Sequence, residues 1–458
     1  MLLTRLPRAV ASRASRVAVM ASSPRVVVAR AVVVPRRFQS TSTSEPLTVL
    51  GKTYPRDEWT NATPTILSKV GRNLHLQDNH PLSTLREIVE NHFEGYTSVR
   101  TESPIVSVHQ NFDELGFPKD HPGRSKTDSY YVNATHMLRT HTSAHEVESY
   151  RSDKNAFLIA ADVYRRDEID SSHYPVFHQM EGMRIWDQGD LSQLKAENAR
   201  LAAELAKSPI QVEDDTVVGP SNPYQAKHDP EHAAEITQNL KHSLNGLIFK
   251  LFGHVAAAKG EPLRIRWIEA TFPWTSPSFE VEVWFNDDWL EILGCGVVMQ
   301  QTLETSGMGH KAGWAFGLGL ERIAMVLFDI QDIRLFWSTD ARFLTQFEQG
   351  KINTFKPYSK YPPVNRDMSF WLPDAAAEGR EPWHENDYCE IVRNVAGDLV
   401  ENVSIIDDFT HPKTNRRSLC YRINYRSMDR SLRNEEVNDL QAEVEKQVVA
   451  ALGIEMKA

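Results

Sequence analysis

Arginines that could bind phosphate stand at two predicted turns of the chain. Arg165 and Arg166 follow the apolar run 156–164, which predicts a buried strand. A second run ends in Gly317-Leu318-Gly319-Leu320-Glu321-Arg322, where Arg322 takes the place of the third glycine that a dinucleotide-binding loop needs. This string therefore predicts a strand that turns into a helix, whose first turn offers a guanidinium group to a phosphate or a flat base.

The strand predicted at 176–186 carries a pair of polar residues that could bind a ligand. Gln179 and Glu181 are two residues apart, so a strand places both side chains on one face. Each polar group, taken alone, is explained as well by a surface ion pair or a satisfied hydrogen bond. Their occurrence together with Arg165 and Arg322 is what favours a functional site.

The elements that must position these residues form one large unit over about 45–355. Between 187 and 230 the pattern breaks, and a short amphipathic helix followed by an acidic, proline-containing loop (211–223) predicts a peripheral insertion. Apolar periodicity predicts helices near 82–93, 231–256 and 319–328, and strands near 101–108, 156–164, 176–186, 263–270, 279–285 and 289–299.

A linker rich in Lys, Pro and Tyr at 356–366 predicts a domain boundary. Beyond it, a short closing strand would complete the β-α-β-β-α-β order of a ferredoxin-like domain over 367–458. Asn434 is the expected N-cap of the last helix. The predicted elements are strand 367–372, helix 386–397, strands 402–409 and 418–427, and helix 435–451.

The first 40 residues have the composition of a mitochondrial import presequence. They contain eight arginines, several serines, no lysine and no acidic residue, and the string Arg36-Arg37-Phe38-Gln39-Ser40 resembles a processing site. A basic nucleic-acid-binding arm is the less favoured alternative. Without this segment 43 basic residues face 61 acidic ones, a net charge of −18, so the overall field excludes RNA binding and only a local patch could provide it.

Such a basic patch is predicted at 411–433, which holds seven Lys or Arg residues and a single acid, Asp429. A solvated basic face is the alternative. The three cysteines are far apart and match no zinc or disulfide pattern, and no uncharged apolar run could span a membrane. The candidate RNA-binding residues are Lys413, Arg416, Arg417, Arg422 and Arg426.

Arg165 on a hairpin loop, Arg322 after a glycine-rich strand and a strand near Pro104 resemble the three motifs of class II aminoacyl-tRNA synthetases. Five longer strings resemble the phenylalanyl-tRNA synthetases, in particular their single-chain mitochondrial form. The resemblance covers nearly all of the chain beyond about residue 48, apart from 187–230. The strings are His141–His145, Asp162–Asp167, His173–Gly182, Trp289–Gly296 and Gly313–Arg322.

The resemblance implies an α+β fold, in which a class II catalytic domain with an antiparallel sheet flanked by helices precedes a ferredoxin-like anticodon-binding domain. It also implies that the protein uses ATP as a substrate and Mg²⁺ as a cofactor. Arg165 would contact the α-phosphate as a catalytic residue, and Phe177 and the second catalytic residue, Arg322, would hold the adenine between them. Glu291 would bind the metal, its hard oxygens suiting a hard cation. Further ATP contacts are expected from Ser172, His173 and Tyr174.

The same resemblance implies a site for phenylalanine. Ser143, Gln179 and Glu181 would hold the ammonium and carboxylate groups, and Phe272 and Trp274 would face the ring. Trp274 departs from the phenylalanine that the family more often has. The full set of expected phenylalanine-binding residues is His141, Ser143, Ala144, His145, Glu146, Gln179, Met180, Glu181, Phe272, Trp274, Ala315 and Phe316.

The implied activity is the formation of phenylalanyl-adenylate from L-phenylalanine and ATP, followed by transfer to the terminal ribose hydroxyl of tRNA(Phe). The enzyme would act as a monomer in the mitochondrial matrix. Three other functions are possible alternatives. A ligase that charges something other than tRNA would not need the basic C-terminal patch, and a non-catalytic RNA-binding protein would not retain Arg165, Glu291 and Arg322. Another class II specificity would need a polar pocket in place of the aromatic one.

Overall fold

The computed structural model describes residues 45–152, 154–357, 361–373 and 382–457. The predicted presequence, 1–40, and its processing site lie outside the described residues, as does part of the predicted linker. Among the described residues, no helix is long and apolar enough to cross a membrane.

The described residues contain strands in four sheets. In chain order they are β1 Leu47–Val49, β2 Lys52–Tyr54, β3 Thr97–Val99, β4 Ile105–Ser107, β5 His136–Leu138, β6 Ala156–Tyr164, β7 Val176–Asp187, β8 Ile210–Asp214, β9 Leu263–Phe272, β10 Thr275–Phe285, β11 Asp288–Val298, β12 Lys311–Gly319, β13 Val364–Trp371, β14 Val400–Thr410, β15 Arg417–Tyr425 and β16 Glu455–Met456.

The largest sheet has eight strands in the order β3-β6-β7-β12-β11-β10-β9-β8. Its six central strands are antiparallel, and only the edge strands β3 and β8 pair in parallel with their neighbours. The predicted strand at 101–108 is shorter than expected and belongs to a separate sheet, where β4 pairs with β5. Pro104 lacks the N–H that a ladder requires, so pairing begins only after it.

Ten α-helices are described alongside these strands. They are α1 Pro64–Leu67, α2 Pro81–His92, α3 Glu146–Arg151, α4 Leu191–Leu205, α5 Pro230–Lys259, α6 Gln300–Thr305, α7 Leu320–Leu327, α8 Ala341–Leu344, α9 Glu385–Ala396 and α10 Asn434–Leu452.

Helices α2, α5 and α7 cover one face of the large sheet and form its main core. Leu85 of α2, Leu244 of α5 and Ile323 of α7 are buried in the same cluster as Trp314 and Phe316 of β12. Helix α5 begins where the Asp229 side chain accepts the His232 N–H at 2.9 Å, with a proline in its first turn. The opposite face of the sheet is therefore left to build a cleft.

The segment 187–230 is partly integrated into the sheet rather than wholly a loop. Residues 211–214, predicted as loop, form most of β8, which pairs with β9 at the sheet edge. Leu194 of α4 is buried. The Asn198 side chain, also on α4, donates a hydrogen bond to the Glu235 carbonyl of α5 at 2.9 Å. Acidic side chains are tolerated in an edge strand because they remain in solvent, which is why composition alone suggested a loop.

The C-terminal domain has the predicted ferredoxin-like order, with the four strands arranged β14-β15-β13-β16. The short closing strand is β16, and β13 begins at Val364, inside the predicted linker. The prediction of Asn434 as N-cap is wrong, because Arg433 occupies that position and Asn434 is the first helical residue. Helix α10 instead carries Glu435 and Glu436 in its first turn, where acidic groups favour the helix dipole.

Helix α9 and the start of β14 dock onto the hairpin loop between β6 and β7. Arg166 pairs with Asp387 at 2.9 Å, and Arg393 donates to the Asp167 carbonyl at 2.8 Å. The Ile169 side chain is buried in the C-terminal core. The loop that carries Arg165 therefore packs directly against the second domain.

Candidate active site

The strands β7 and β12 set the floor of the cleft through their register. Gln179 and Glu181 lie opposite Gly319 and Gly317, so the two polar side chains share the face away from the core helices. A Cβ added at Gly317 would lie 3.4 Å from the Glu181 Cγ, so this glycine leaves the carboxyl room. The predicted pairing of Gln179 and Glu181 on one face is confirmed.

Two expected phenylalanine-binding residues lie on the other face of the sheet. Met180 and Phe316 are buried in the main core, and the Phe316 ring stacks on Phe93 with centroids 5.2 Å apart. A Cβ on Gly182 would come within 2.3 Å of that ring. These two residues therefore do not line the cleft, because neighbours along a strand point to opposite faces. Ala315 does lie on the cleft side, in a cluster with Met183.

Ser143 and Glu181 form the buried centre of the cleft. The Ser143 hydroxyl donates to Glu181 Oε1 at 2.6 Å, from a turn at Thr142–His145. Burial raises the pKa of Glu181 from 4.5 to about 7. Burial and the nearby Glu181 raise the pKa of Glu146 to about 8. Two carboxyl groups are thus held together in a place where they would gain from a cation.

Several buried acceptors around this centre lack a hydrogen-bond partner. They are Glu181 Oε2, Gln179 Oε1 and His141 Nδ1. His141 Nε2 bonds the Asn111 carbonyl at 2.9 Å, and burial lowers the pKa of its ring to about 3, so the ring is neutral and Nδ1 is an acceptor. Unpaired buried acceptors are costly, so their convergence indicates that a donor-rich group such as an ammonium binds here.

An aromatic wall stands beside the buried acceptors. The Trp274 ring stacks on Phe117, His141 and Phe272, with centroid separations of 5.1, 5.8 and 5.8 Å. A Cβ on Gly294 would lie 2.7 Å from the Phe272 ring, so glycine is required for the ring to cross β11. Phe117 is absent from the predicted set, since it lies in a loop without periodicity.

Ala144 and His145 support the turn that carries Ser143 and have their own buried partners. Ala144 packs in a small cluster with Phe112. Both ring nitrogens of His145 are engaged, Nε2 with Arg139 at 3.0 Å and Nδ1 with Glu148 at 2.6 Å. Neither residue offers a free group to the ligand.

Arg165 lies at the end of β6 and is fixed by its neighbours. Its Nε donates to the Thr140 carbonyl at 2.8 Å, and its guanidinium carbon lies 5.2 Å from the centre of the Phe177 ring. The remaining guanidinium donors are left for a ligand anion. The guanidinium charge also acts on Glu181, where it lowers the pKa that burial raises, so Arg165 lies close to the acceptor cluster.

Arg322 and Glu291 form the exposed end of the site. Arg322 Nη1 lies 3.2 Å from Glu291 Oε2, with side chains 56% and 48% exposed. Burial raises the pKa of nearby Glu280, and repulsion by Glu291 raises it further. Two adjacent carboxylates fit a divalent cation. Glu280 is missing from the predicted set, although it faces Gly294 across β10 and β11.

Glu321, the neighbour of Arg322, ties helix α7 to strand β7. Its two carboxylate oxygens accept from the backbone N–H and the ring Nδ1 of His178, at 2.7 and 2.6 Å. Both residues are buried. This link fixes the first turn of α7, which presents Arg322, against the strand that presents Phe177 and Gln179. Neither residue is among the predicted site residues.

The loop residues expected at ATP divide into two groups. Ser172 and His173 both bond Asp170, and this carboxylate raises the pKa of His173 to about 8, so the ring carries a proton near neutral pH. Tyr174 instead is buried, and its hydroxyl donates to Asp398 of the C-terminal domain at 2.6 Å. Tyr174 thus belongs to the domain contact and offers nothing to the nucleotide.

Four of the five predicted RNA-binding residues are paired with carboxylates of the same domain. Arg426 also lies at the domain contact, where its carbonyl accepts from Arg334. The count of charge along 411–433 misses these partners because they come from other strands. The pairs are Arg416–Glu455, Arg417–Asp408, Arg422–Asp367 and Arg426–Glu401, at 2.6 to 2.8 Å.

Comparison with known proteins agrees with this geometry. The family described as tRNA synthetases class II core domain (F) matches residues 67–218 and 233–347. The family described as ferredoxin-fold anticodon binding domain matches residues 359–457. The first match spans the eight-stranded sheet and its cleft, so the fold and the site define a class II synthetase core joined to an anticodon-binding domain.

Individual relatives narrow the class II synthetases to one family. The mitochondrial phenylalanine–tRNA ligase of Saccharomyces cerevisiae is 46% identical over 92% of this chain and 97% of its own length. The mitochondrial phenylalanine–tRNA ligase of Mus musculus is 47% identical over 89% of this chain and 88% of its own. A chloroplastic/mitochondrial relative from Arabidopsis thaliana is 45% identical over 88% and 84%. The chain belongs to the family of mitochondrial phenylalanine–tRNA ligases.

Proposed function

We propose that this protein is a phenylalanine–tRNA ligase that works in the mitochondrial matrix. L-Phenylalanine would attack the α-phosphorus of ATP through a carboxylate oxygen, releasing pyrophosphate and forming phenylalanyl-adenylate. The terminal ribose hydroxyl of tRNA(Phe) would then attack the carbonyl carbon and release AMP. The predicted presequence supports import, and the similarity to single-chain relatives supports action as a monomer.

The observation that carries the proposal is the set of unpaired buried acceptors beside an aromatic wall. An α-ammonium group can donate three hydrogen bonds, and Glu181 Oε2 and Gln179 Oε1 are two buried oxygens without a donor. Binding of the ammonium would lower the pKa of Glu181, which would release its proton to solvent, because an opposite charge favours the ionised carboxylate. The phenyl ring would lie towards Phe272 and Trp274.

The nucleotide end supports phosphoryl-centred chemistry. Charge develops on the α-phosphate during adenylate formation, and a positioned guanidinium such as Arg165 stabilises it without moving. Phe177 is half-buried and offers its ring to the adenine. Glu291 and Glu280 would hold Mg²⁺, which supplies charge neutralisation to the phosphates when it is bound. No side chain needs to form a covalent intermediate.

The phenylalanine pocket would distinguish phenylalanine from tyrosine because it offers few hydrogen-bond partners to the tyrosine hydroxyl. An apolar pocket rejects an analogue that merely adds a hydroxyl only modestly, by about 100-fold. On the aromatic wall, Phe117 and Phe272 have no hydrogen-bonding group and Trp274 has only its indole N–H, so these three rings could offer the phenol of tyrosine a single donor and no acceptor. We therefore expect weak activation of tyrosine beside strong activation of phenylalanine.

The direct test is amino-acid-dependent exchange of pyrophosphate into ATP, with protein lacking residues 1–40. Each of the twenty amino acids would be assayed separately, without tRNA. Exchange with phenylalanine, and only weakly with tyrosine, is the expected result. Charging of tRNA(Phe) would then establish the second step. Exchange with no amino acid, from protein that is folded and binds tRNA, would overturn the proposal in favour of a non-catalytic RNA-binding protein.

A further inference from the structure

A short π-helical turn lies beside the candidate active site, at His109–Asp113. The Glu114 N–H donates to the His109 carbonyl at 3.0 Å, so the bond spans five residues instead of the four of an α-helix. Such turns are rare and occur frequently at functional sites. Asn111 lies in the middle of the turn and is fully buried. An uncommon backbone conformation thus places a buried amide next to the cleft.

The Asn111 side chain holds Thr140 through two hydrogen bonds. Its Nδ2 group donates to the Thr140 hydroxyl at 2.9 Å, and its Oδ1 atom accepts from the Thr140 N–H at 3.0 Å. Both residues are buried, and a hydrogen bond is stronger in the low dielectric of the interior than in water. Because one amide binds both the side chain and the backbone of Thr140, it fixes the position and the rotation of that peptide.

Thr140 passes this constraint on to Arg165. The Thr140 carbonyl accepts from Arg165 Nε at 2.8 Å. The same segment is held beside the end of β6, since the Tyr164 N–H donates to the Arg139 carbonyl at 2.9 Å. Arg165 is the residue that we place at the α-phosphate in the proposed function. The Asn111 amide is therefore connected to this guanidinium group through a single intervening residue.

The backbone of Asn111 constrains the amino-acid side of the site. Its carbonyl accepts from His141 Nε2 at 2.9 Å, so the ring proton lies on Nε2 and Nδ1 is left to accept from a ligand. The Phe117 ring stacks on His141 with centroids 5.5 Å apart and nearly parallel planes, which restrains rotation of the imidazole. His141 directly follows Thr140 in the chain. Asn111 thus binds two consecutive residues, one bonded to Arg165 and the other an acceptor for the ammonium group.

The separation of these two groups matters for the first step of the reaction. The attacking carboxylate is attached to the carbon that carries the ammonium group, so its distance from the α-phosphorus depends on how the two binding groups are placed. Reacting atoms must approach to about 3–3.5 Å, and a displacement of about 1 Å can lower the rate roughly 100-fold. Ser143, Glu181 and Arg322 would still bind the substrates if this separation changed. Loss of the constraint should therefore slow the attack more than it weakens binding.

We propose that Asn111 is a positioning residue for adenylate formation. It holds His141 and Arg165 at a fixed separation, so that the carboxylate of the amino acid faces the α-phosphorus, and it touches neither substrate. In this step a bond forms between the carboxylate oxygen and the α-phosphorus, and pyrophosphate leaves with the electron pair of the bond that breaks. The inference rests on the proposed function, because that function supplies both substrates.

Asn111→Ala is the decisive variant, because it removes both side-chain bonds to Thr140 and keeps the carbonyl that binds His141. Rapid-quench measurement of phenylalanyl-adenylate formation, with both substrates in excess, gives a rate constant and an amplitude. The rate constant should fall about 10- to 100-fold, while the phenylalanine and ATP concentrations at half-maximal rate stay close to those of the wild type. A merely structural loss would lower only the amplitude, which reports the fraction of active protein.

Asn198→Ala is the matched control. Asn198 is also a buried asparagine whose amide joins two partners, the Glu235 carbonyl and the Asn239 side chain at 2.9 Å each, but these lie on α5. Its rate constant should match that of the wild type. Asn111→Asp should recover most of the rate, because one carboxylate oxygen can accept from the Thr140 N–H and the other from the Thr140 hydroxyl.

A wild-type rate constant in Asn111→Ala, or an equal loss in Asn198→Ala, would overturn the inference. If Asn111→Ala does not fold, Thr140→Gly tests the same constraint, since it loses the hydroxyl bond and loosens the backbone that holds Arg165. Its rate constant should also fall, and an unchanged value would overturn the inference. Failure of the wild type to form adenylate with any amino acid would instead overturn the proposed function.

Discussion

The two ends of the candidate active site hold their charges in opposite ways. At the proposed amino-acid end, Glu181 is 5% exposed, and its carboxyl accepts a hydrogen bond from Ser143 and is flanked by buried acceptors. At the proposed nucleotide end, Arg322 and Glu291 are about half exposed and, among the described residues, form an ion pair only with each other. A buried group discriminates because an ill-fitting ligand leaves it unpaired, whereas an exposed pair can exchange readily with phosphates and metal.

Arg165 should show the largest effect, because we propose that it contacts the reacting phosphate. Arg165→Ala removes the guanidinium that would face the reacting phosphate, and loss of one such group typically costs about 100- to 1,000-fold in rate. We expect a fall of that size in kcat for pyrophosphate exchange. Arg166→Ala is the control, because the neighbouring arginine turns to Asp387 of the C-terminal domain. Similar losses in both variants would show that the hairpin loop, not the position of Arg165, is what matters.

Glu181→Gln tests the buried end. The amide keeps the shape but loses the charge that would pair with the ammonium, and charge-assisted hydrogen bonds contribute about 1.5–3 kcal/mol. We expect KM for phenylalanine to rise about 10- to 100-fold, with KM for ATP changed much less. Steady-state exchange kinetics at varied phenylalanine and ATP would measure both. An equal rise in the two constants would contradict the division of the site into two ends.

Arg322→Ala tests the exposed end, and we expect a smaller effect there. Water already screens this pair, so KM for ATP should rise by roughly tenfold at low salt and less as salt is added. KM for phenylalanine should remain close to that of the wild type. A salt-independent loss of the same size as in Arg165→Ala would mean that Arg322 is buried when ATP is bound.

Glu181 and Glu146 should make a contribution to the pH dependence of stability that is opposite in sign to that of the buried histidines, whose pKa values burial lowers. The pKa of Glu181 rises from 4.5 to about 7, and that of Glu146 to about 8, so the folded state keeps protons that the unfolded state releases between these values. The contribution of these two carboxyl groups to the unfolding free energy of the ligand-free protein should therefore fall as pH rises from about 5 to 8. Glu181→Gln should make this fall shallower, by up to about 1 kcal/mol per pH unit.

Urea titrations at several pH values would measure this slope, and Glu291→Gln would serve as the control because Glu291 is exposed. Phenylalanine should oppose the decline, since its ammonium favours the ionised carboxylate. Identical slopes for wild type and Glu181→Gln would contradict the assignment of the buried carboxyl.

Most helices and strands could be predicted from the sequence, because an element that buries one face repeats its apolar residues at a regular spacing. The alternation along 176–187 placed Gln179 and Glu181 together, and helical spacing found α2 and α5. The same alternation could have excluded two residues. Met180 lies between Gln179 and Glu181, and Phe316 follows Ala315, so neither could face the cleft if its neighbours do.

Other features could not be predicted from the sequence, because they depend on contacts between residues that are far apart in the chain. Tyr174 appeared to belong to the nucleotide because its loop does, yet its hydroxyl bonds Asp398, more than 200 residues later. The partners of Arg417 and Arg422, Asp408 and Asp367, come from neighbouring strands. Phe117 joins the aromatic wall from an irregular loop that has no period to reveal its direction.

The sequence by itself determined the family, the order of the elements and the side chains able to carry charge, because these depend on residue type and local spacing. The tertiary structure decided which of those charges remain available. Burial left Glu181 and Gln179 with unpaired oxygens, while ion pairs across strands neutralised most of the basic patch. Availability depends on neighbours in space, and only the folded chain brings those neighbours together.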